Sequence, residues 1–452
     1  MTEHTMTTPR AISNIGRRGA LLMSAALLSG CSLFEGSDKK PVPGIKIPVL
    51  PPHEPLSVDD NAPPVGLPAP TPRADWPQAG GNAKHNTGVA ALPERLTEAW
   101  RTSIGAGATY RRSLHVQPVV AAGKVFTIDA NGFVDAVMFA NGQHVWRQKM
   151  RPKHDSSFAF GGGLAYAEGA LYVATGFAEL RMLDPATGAT RWTRKLGQPA
   201  RSAPTVGGGN IYVVLIDNTL VALDAKTGNL VWRFPTGSSS NSMFGAGAPA
   251  YDQGVVVAGF GTGLVAGINA ATGSAVWEQS LAAGYDTANP LNVSSIVANP
   301  VIGNNLVVVT GVAGTTVAFD LRSGRRIWGK GAGGAETPAI AGEWLFLLTD
   351  DQRLAAIHMA EGYVSWVTDL PAFKNPKKSY GPLRWHGPVV AGNGLILTGS
   401  DQRMIVVDAR TGVLLARPED SIELHGVADE PPIAVGGTLL AMTRDAVLTA
   451  YR

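Results

Sequence analysis

Residues 204–232 read PTVGGGNIYVVLIDNTLVALDAKTGNLVW, and the punctuation of this stretch decides the fold. It opens at Pro204, turns at Gly207-Gly208-Gly209 and is apolar from Ile211 to Ile216. A polar turn at Asp217-Asn218 leads into Leu220–Leu223, and a tight corner at Asp224–Gly228 leads to Trp232. β-rich runs separated by Gly and Asn turns predict consecutive antiparallel strands. The corner predicts a hairpin loop in which Gly228 takes positive φ, a conformation that only a residue without Cβ adopts freely.

The same frame recurs. Six copies keep 24 residues between proline and corner glycine: Pro118/Gly142, Pro204/Gly228, Pro249/Gly273, Pro300/Gly324, Pro338/Gly362 and Pro388/Gly412. A seventh ends at Gly188 with Leu164 in the proline position. Four residues past the glycine stand Trp146, Trp192, Trp232, Trp277, Trp328 and Trp366, with Ala416 in the last copy. A fixed core with variable spacers is one structural unit repeated.

The two ends complement each other. Leu96 to Ser103 looks like the last strand of a unit whose beginning is missing, with Trp100 in the tryptophan position. Pro432 starts a unit in which Leu439–Met442 and Val447–Tyr451 fit the second and third strands, and the next corner would fall beyond Arg452. Seven near-complete units and one shared between the ends predict an all-β, eight-bladed β-propeller of four-stranded antiparallel blades. An N-terminal strand joining the C-terminal blade would close the ring and cover an edge otherwise open to aggregation. The repeated Trp residues read as packing: each indole offers a large flat surface to bury.

Ahead of the repeats lies an address. Arg10, Arg17 and Arg18 precede the apolar stretch from Ala20 to Leu28, which ends in Leu28-Ser29-Gly30-Cys31. That layout predicts a secretory signal over residues 1–30, too short to span a bilayer as a mature helix. Its last four residues resemble a bacterial lipobox, which would make Cys31 the first, acylated residue of the mature chain; Ser32 after it favours release to the outer membrane. Cys31 is the sole cysteine, so no internal disulfide forms. Eleven prolines between Pro41 and Pro72 predict an extended tether over 31–74, with the propeller at 75–452. Losing residues 1–30 leaves 35 basic against 34 acidic residues. With no basic run interleaved with aromatics, nucleic acid is excluded as a partner.

The Thr-Gly-x-x-x-Trp corners at Thr187–Trp192, Thr227–Trp232 and Thr272–Trp277 resemble the repeats named after pyrroloquinoline-quinone enzymes. Two groups share them: quinoprotein dehydrogenases, and the BamB lipoproteins of the machinery that inserts β-barrels into the outer membrane. The resemblance covers residues 75–452, and the lipobox, tether and short loops bring it close to the BamB family. The stretch AFDLRSGRRIW from Ala318 to Trp328 is similar to the corresponding BamB blade.

The dehydrogenase reading requires an adjacent cysteine pair to clamp the quinone and an Asp with calcium. One cysteine and no Cys-x-x-Cys-His segment do not supply them. Asp350-Asp351 and Asp429-Glu430 are acidic neighbours, but strand neighbours point to opposite faces and share no ligand; both pairs read as turn charges. The nine histidines show no metal-ligand spacing, and no nucleophile sits in an elbow motif. The resemblance therefore implies a non-enzymatic scaffold without cofactor or metal.

Its implied partner is the POTRA region of BamA, held through loops between neighbouring blades. Other lipoproteins of that machinery and unfolded outer-membrane proteins are further candidates, with the membrane reached through the anchor. Three connectors are long: Phe234–Ala248, Glu278–Asn299 and Val367–Gly387. The first two flank one blade and align with the family's partner-binding loops. They place Asn241, Met243, Phe244, Ser295 and Val297 where the family has salt-bridging features, implying an apolar and backbone-mediated contact. Packing of these five between blades is the alternative. The third connector carries Lys374, Lys377, Lys378, Tyr380, Trp385 and His386, either a solvated loop or a contact for anionic lipid or a partner. A quinone-dependent dehydrogenase and another periplasmic propeller binding module remain the alternative functions.

Overall fold

The computed structural model describes residues 56–109, 116–153, 161–237, 246–281, 295–312, 314–415 and 421–452. Eight four-stranded antiparallel sheets follow one another along the chain, and the described residues contain no α-helix. Blade 3 is representative, with strands Thr205–Gly207, Asn210–Val214, Thr219–Asp224 and Leu230–Pro235 paired in sequence order. Blade 1 runs from Val119–Ala121 to His144–Lys149, blade 2 from Gly162–Ala167 to Thr190–Lys195, and blade 4 from Ala250–Asp252 to Ala275–Ser280. Blade 5 runs from Val301–Gly303 to Arg326–Lys330, blade 6 from Ala339–Ala341 to Val364–Asp369, and blade 7 from Trp385–Ala391 to Ile422–Glu423. Blade 8 takes three strands from the C-terminal end, Ile433–Val435, Thr438–Met442 and Val447–Tyr451, and its fourth, Glu98–Ser103, from the N-terminal side.

That fourth strand pairs antiparallel with Val447–Tyr451, and Thr97 and Arg452 exchange backbone hydrogen bonds of 2.8 and 2.9 Å beside it. Eight apolar clusters lie at the seams between blades. In the cluster between blades 8 and 1, Trp100, Ile433 and Leu448 meet Val120, Val125 and Val137. The alternation that buries one strand face thus buries both faces of each sheet, because each blade has a neighbour on either side.

The corner signature has a physical cause. Asp224 Oδ1 accepts from Thr227 N at 2.7 Å and Thr227 Oγ1 at 2.8 Å, which folds the chain back within four residues. Those bonds, the backbone one first, lower the pKa of Asp224 from its usual carboxylate value. Gly228 then takes φ 69°. The glycine does more than supply that angle. A Cβ on Gly273 would lie 2.5 Å from Trp232 Cγ, and one on Gly324 would lie 2.4 Å from Trp277 Cγ. Each corner glycine is the floor under the previous blade's indole.

Trp100, Trp146, Trp192, Trp232, Trp277, Trp328 and Trp366 each donate Nε1–H to a backbone carbonyl in the next blade's corner, at 2.8–3.1 Å. Seven seams are therefore locked by one side chain doing two jobs, apolar burial and a satisfied indole N–H. At about 25 cal/mol per Å², a fully buried ring is worth on the order of 4–6 kcal/mol before entropy, and less at Trp146 and Trp192, which are half-buried. Ala416, in the corresponding position of blade 7, lies outside the described residues.

The first strands of neighbouring blades approach one another, so they line the axis with one edge unpaired inside each blade. Residues 73–92 cover those edges. Trp76 and Val120 exchange backbone bonds of 2.8 and 2.9 Å at blade 1, and Pro77 O accepts from Tyr166 N at blade 2. At blade 3 the Gln78 amide imitates a strand: Nε2 donates to Val206 O at 3.0 Å and Oε1 accepts from Val206 N at 2.9 Å. Ala83 O accepts from Tyr251 N at blade 4, Lys84 O from Ile302 N at blade 5, and Arg73 O from Gly436 N at blade 8. At blade 7, Ala90 N donates to Val390 O. His85 Nδ1–H donates to Pro300 O at 2.7 Å, and burial lowers its pKa to about 4, so the ring is neutral.

Residues 56–74, expected in the tether, are packed on the blades. Leu56 is buried at the seam of blades 5 and 6, and Val65 at that of blades 6 and 7. Asp59 N donates to Val364 O at 2.9 Å while Asp59 Oδ2 accepts from Val364 N at 2.7 Å. Proline loses little freedom on ordering, so two well-placed apolar side chains suffice to hold such a stretch down. Residues 1–55, with Cys31 among them, lie outside the described residues.

Candidate functional site: the connectors flanking blade 4

The connectors leave each fourth strand on the side of the propeller that carries the turns between second and third strands. Of the five candidate contacts, Asn241, Met243 and Phe244 lie outside the described residues. Ser295 and Val297 are described, and they differ. Ser295 is fully buried, and its hydroxyl donates to Gly261 O at 2.9 Å. Its own carbonyl accepts from Val312 N at 3.0 Å in blade 5. Of the two readings, packing fits Ser295, because its polar atoms face neighbouring turns. Ile296 fills the seam of blades 4 and 5, where a Cβ on Gly259 would sit 2.2 Å from its Cγ2. Val297 is half-buried.

The root of this connector is bonded to blades 4 and 5 and to Thr337 ahead of blade 6, and reaches blade 3 only through Gly261. Gly261 N donates to Asn218 Oδ1 of blade 3 at 3.1 Å. Asn299 Oδ1 accepts from Ala248 N at 2.7 Å, and Asn299 N donates to Thr337 Oγ1 ahead of blade 6 at 3.1 Å. The segment from Ser295 to Asn299 is consequently a rigid platform. Sequence reasoning missed Asn218 and Asn299, whose signal was an Asn in the turn between strands and another beside the repeat proline.

At the seam of blades 2 and 3, a groove of about 180 Å³ is lined by Arg194, Lys195, Leu223, Leu230 and Arg233. Its arginines are already engaged: Arg194 Nη2 donates to Thr227 O at 2.7 Å and Arg233 Nη2 to Leu196 O at 2.9 Å. Leu230 and Val231 are exposed on the outer strand next to it.

The third long connector is only partly a loop. Phe373–Asn375 and Tyr380–Pro382 pair as a small hairpin across a 3-10 turn at Pro376–Lys378. Lys374, Lys377, Lys378 and Tyr380 are exposed on it. Trp385 and His386, expected in the same exposed loop, belong to the first strand of blade 7. Trp385 is buried, and His386 Nδ1 pairs with Glu336 Oε1 at 2.7 Å.

More than half of the chain, residues 130–368, matches the sequence profile of the family described as outer membrane protein assembly factor BamB. The chain belongs to the BamB family. The outer membrane protein assembly factor BamB of Salmonella typhimurium is 25% identical over 437 residues, covering 94% of this chain and 97% of that protein. The crystal structure of BamB from Moraxella catarrhalis superposes with a TM-score of 0.67 at 19% identity, covering 79% of this chain and 100% of that one. A quinohemoprotein alcohol dehydrogenase from Comamonas testosteroni superposes with a TM-score of 0.65 at 15% identity, covering 85% of this chain and 81% of that one. At such identities the two structures bear on the fold alone.

In this BamB-family propeller the acidic pairs are structural. Asp350 Oδ1 accepts from Ala335 N at 3.1 Å, and Asp351 Oδ2 from Arg353 Nε at 2.7 Å. Asp429 holds Arg444 through two bonds, of 2.6 and 2.7 Å. Among the described residues no three His, Cys, Asp or Glu are grouped to hold a metal ion.

Proposed function

We propose that this chain is a non-enzymatic scaffold lipoprotein of the outer-membrane β-barrel assembly machinery. In this reading it holds the POTRA region of BamA through the connectors on either side of blade 4. The observation that carries it is the platform at Ser295–Asn299, which bonds to Gly261, Val312 and Thr337 and, through Asn299, to Ala248 at the end of the preceding connector, with Val297 half-buried on it. A site preorganised in this way loses little entropy on docking a partner.

Phe244→Asp and Val297→Asp are expected to weaken binding of purified BamA periplasmic domains while melting stays at the wild-type temperature. A carboxylate left desolvated and unpaired in an interface costs about 2–5 kcal/mol, roughly thirtyfold or more in affinity. Unchanged affinity in both variants would remove these connectors from the contact. In the same preparations, added pyrroloquinoline quinone and calcium are expected to produce no alcohol-dependent dye reduction; turnover would favour the dehydrogenase reading.

The Leu28–Cys31 ending supports acylation at Cys31 and a place on the periplasmic face of the outer membrane. Exported behind an ordinary secretory signal, a mature chain carrying Cys31→Ser is expected in the soluble fraction after a salt wash. The lipidated chain should pellet with membranes, since two or more acyl chains anchor stably and none does not. A Ser variant that still pellets would count against the anchor.

A further inference from the structure

The hairpin between blades 6 and 7 stands apart from the other described connectors. It rises from a fixed base: Trp385 is 1% exposed, its Nε1–H donates to Pro371 O at 2.9 Å, and Leu383 N donates to Ala372 O at 2.8 Å. Trp385 N also donates to Gln352 Oε1 at 2.7 Å. The turn is shaped by Asn375 Oδ1, which accepts from Lys378 N at 3.3 Å. Above that base every residue from Lys374 to Tyr380 is exposed, and Tyr380, at 72%, exceeds the other exposed large apolar side chains among the described residues.

The charge is one-sided. From Leu370 to Ser400 the sequence holds Lys374, Lys377, Lys378 and Arg384 and no Asp or Glu. Among the described residues none of the three lysines is in an ion pair, whereas most of the propeller's arginines are bonded to a carboxylate or a carbonyl. A solvated linker has no need of a buried tryptophan root, a paired hairpin and a capped turn to carry three lysines and a tyrosine outward.

We propose that the hairpin at residues 373–382 is a docking tip for the anionic headgroup surface of a lipid bilayer. Exposure and charge favour that occupant. The turn is exposed from Lys374 to Tyr380, so it offers three ammonium groups to a broad layer of phosphates. Lysine supplies flexible point charges suited to a diffuse anionic surface, and tyrosine has the apolar ring and polar end that settle at headgroup depth.

The test uses the mature chain with Cys31→Ser, made without residues 1–30, so that no acyl chain contributes. It is floated with vesicles of phosphatidylethanolamine and one third phosphatidylglycerol, and separately with phosphatidylcholine vesicles. Binding is expected to the anionic vesicles alone and should weaken as salt is raised. Reversing three charges (Lys374→Glu, Lys377→Glu, Lys378→Glu) should weaken it about a hundredfold or more, since each basic group near such a surface is worth about fivefold. Tyr380→Ser should weaken it several-fold at unchanged charge. Equal flotation with neutral vesicles, an undiminished triple variant, or no flotation of the parent chain at about 0.1 M salt would each overturn the proposal; the lipid and salt dependence of the parent chain judges it even if a variant folds poorly. Should the triple variant instead lose affinity for BamA domains, the tip is a protein contact and the bilayer assignment is wrong. Because the connectors flanking blade 4 are untouched, retained BamA binding would leave the proposed scaffold role standing whichever way flotation falls.

Discussion

A chain that begins after Ser103 is expected to aggregate or unfold without cooperativity, whereas one that begins at Leu56 should fold and melt in a single transition. The shorter chain loses the strand Glu98–Ser103 and leaves the edge of Val447–Tyr451 without its partner. It also loses Trp100, whose indole covers Gly142 and donates to Phe139 O at 3.1 Å, opening the seam between blades 8 and 1. An exposed apolar edge is a template for pairing with another chain. A chain beginning at Glu98 should fall between the two. It keeps the fourth strand of blade 8 but loses residues 73–92, which bond to the inner edges of blades 1–5, 7 and 8. Light scattering and differential scanning calorimetry order the three chains. Equal melting of the longest and the shortest would sink the closed ring.

The blades were legible because their punctuation is local. Proline, paired glycines, an Asp-x-x-Thr-Gly corner and a tryptophan four residues later each act within a few residues, so the repeat survives differences in the strands between. The strap was opaque for the opposite reason. Gln78 bonds to Val206, His85 to Pro300 and Asn86 to Ile302, between 128 and 216 residues away, and no period links these side chains. Their common feature is a short polar group able to imitate a strand edge, which a sequence shows only as a polar Gly-rich stretch. Trp385 and His386 were grouped with the lysines because the repeat frame starts at Pro388, whereas the strand starts at Trp385. In the candidate site, connector length was legible and orientation was not. Ser295 and Val297 both read as connector residues, yet only the structure shows the serine hydroxyl turned inward to Gly261.

The corner glycines carried half of their meaning in the sequence, and the other half yields the sharpest test of how the blades cohere. Trp232→Ala should cost about 3–5 kcal/mol, as large-to-small changes in packed cores do. Part of that loss comes from Ala270 O, which accepts from the indole at 2.9 Å and would be left without that donor. Gly273→Ala should cost about 2–4 kcal/mol from two sources. Its φ of 73° strains any residue with a Cβ, and that Cβ would meet Trp232 Cγ at 2.5 Å. Only the second source depends on the tryptophan. In the Trp232→Ala background the cavity accepts the new methyl, so Gly273→Ala should then cost only its backbone strain, about 1 kcal/mol. The double variant is therefore expected to be more stable than the sum of the singles by about 1–3 kcal/mol, read from urea midpoints at constant m. Additive losses would mean that the glycine answers to φ alone and that the indole does not rest on it. A coupling of the expected size would make each seam a two-residue unit, in which one blade supplies the ring and the next the bare backbone beneath it.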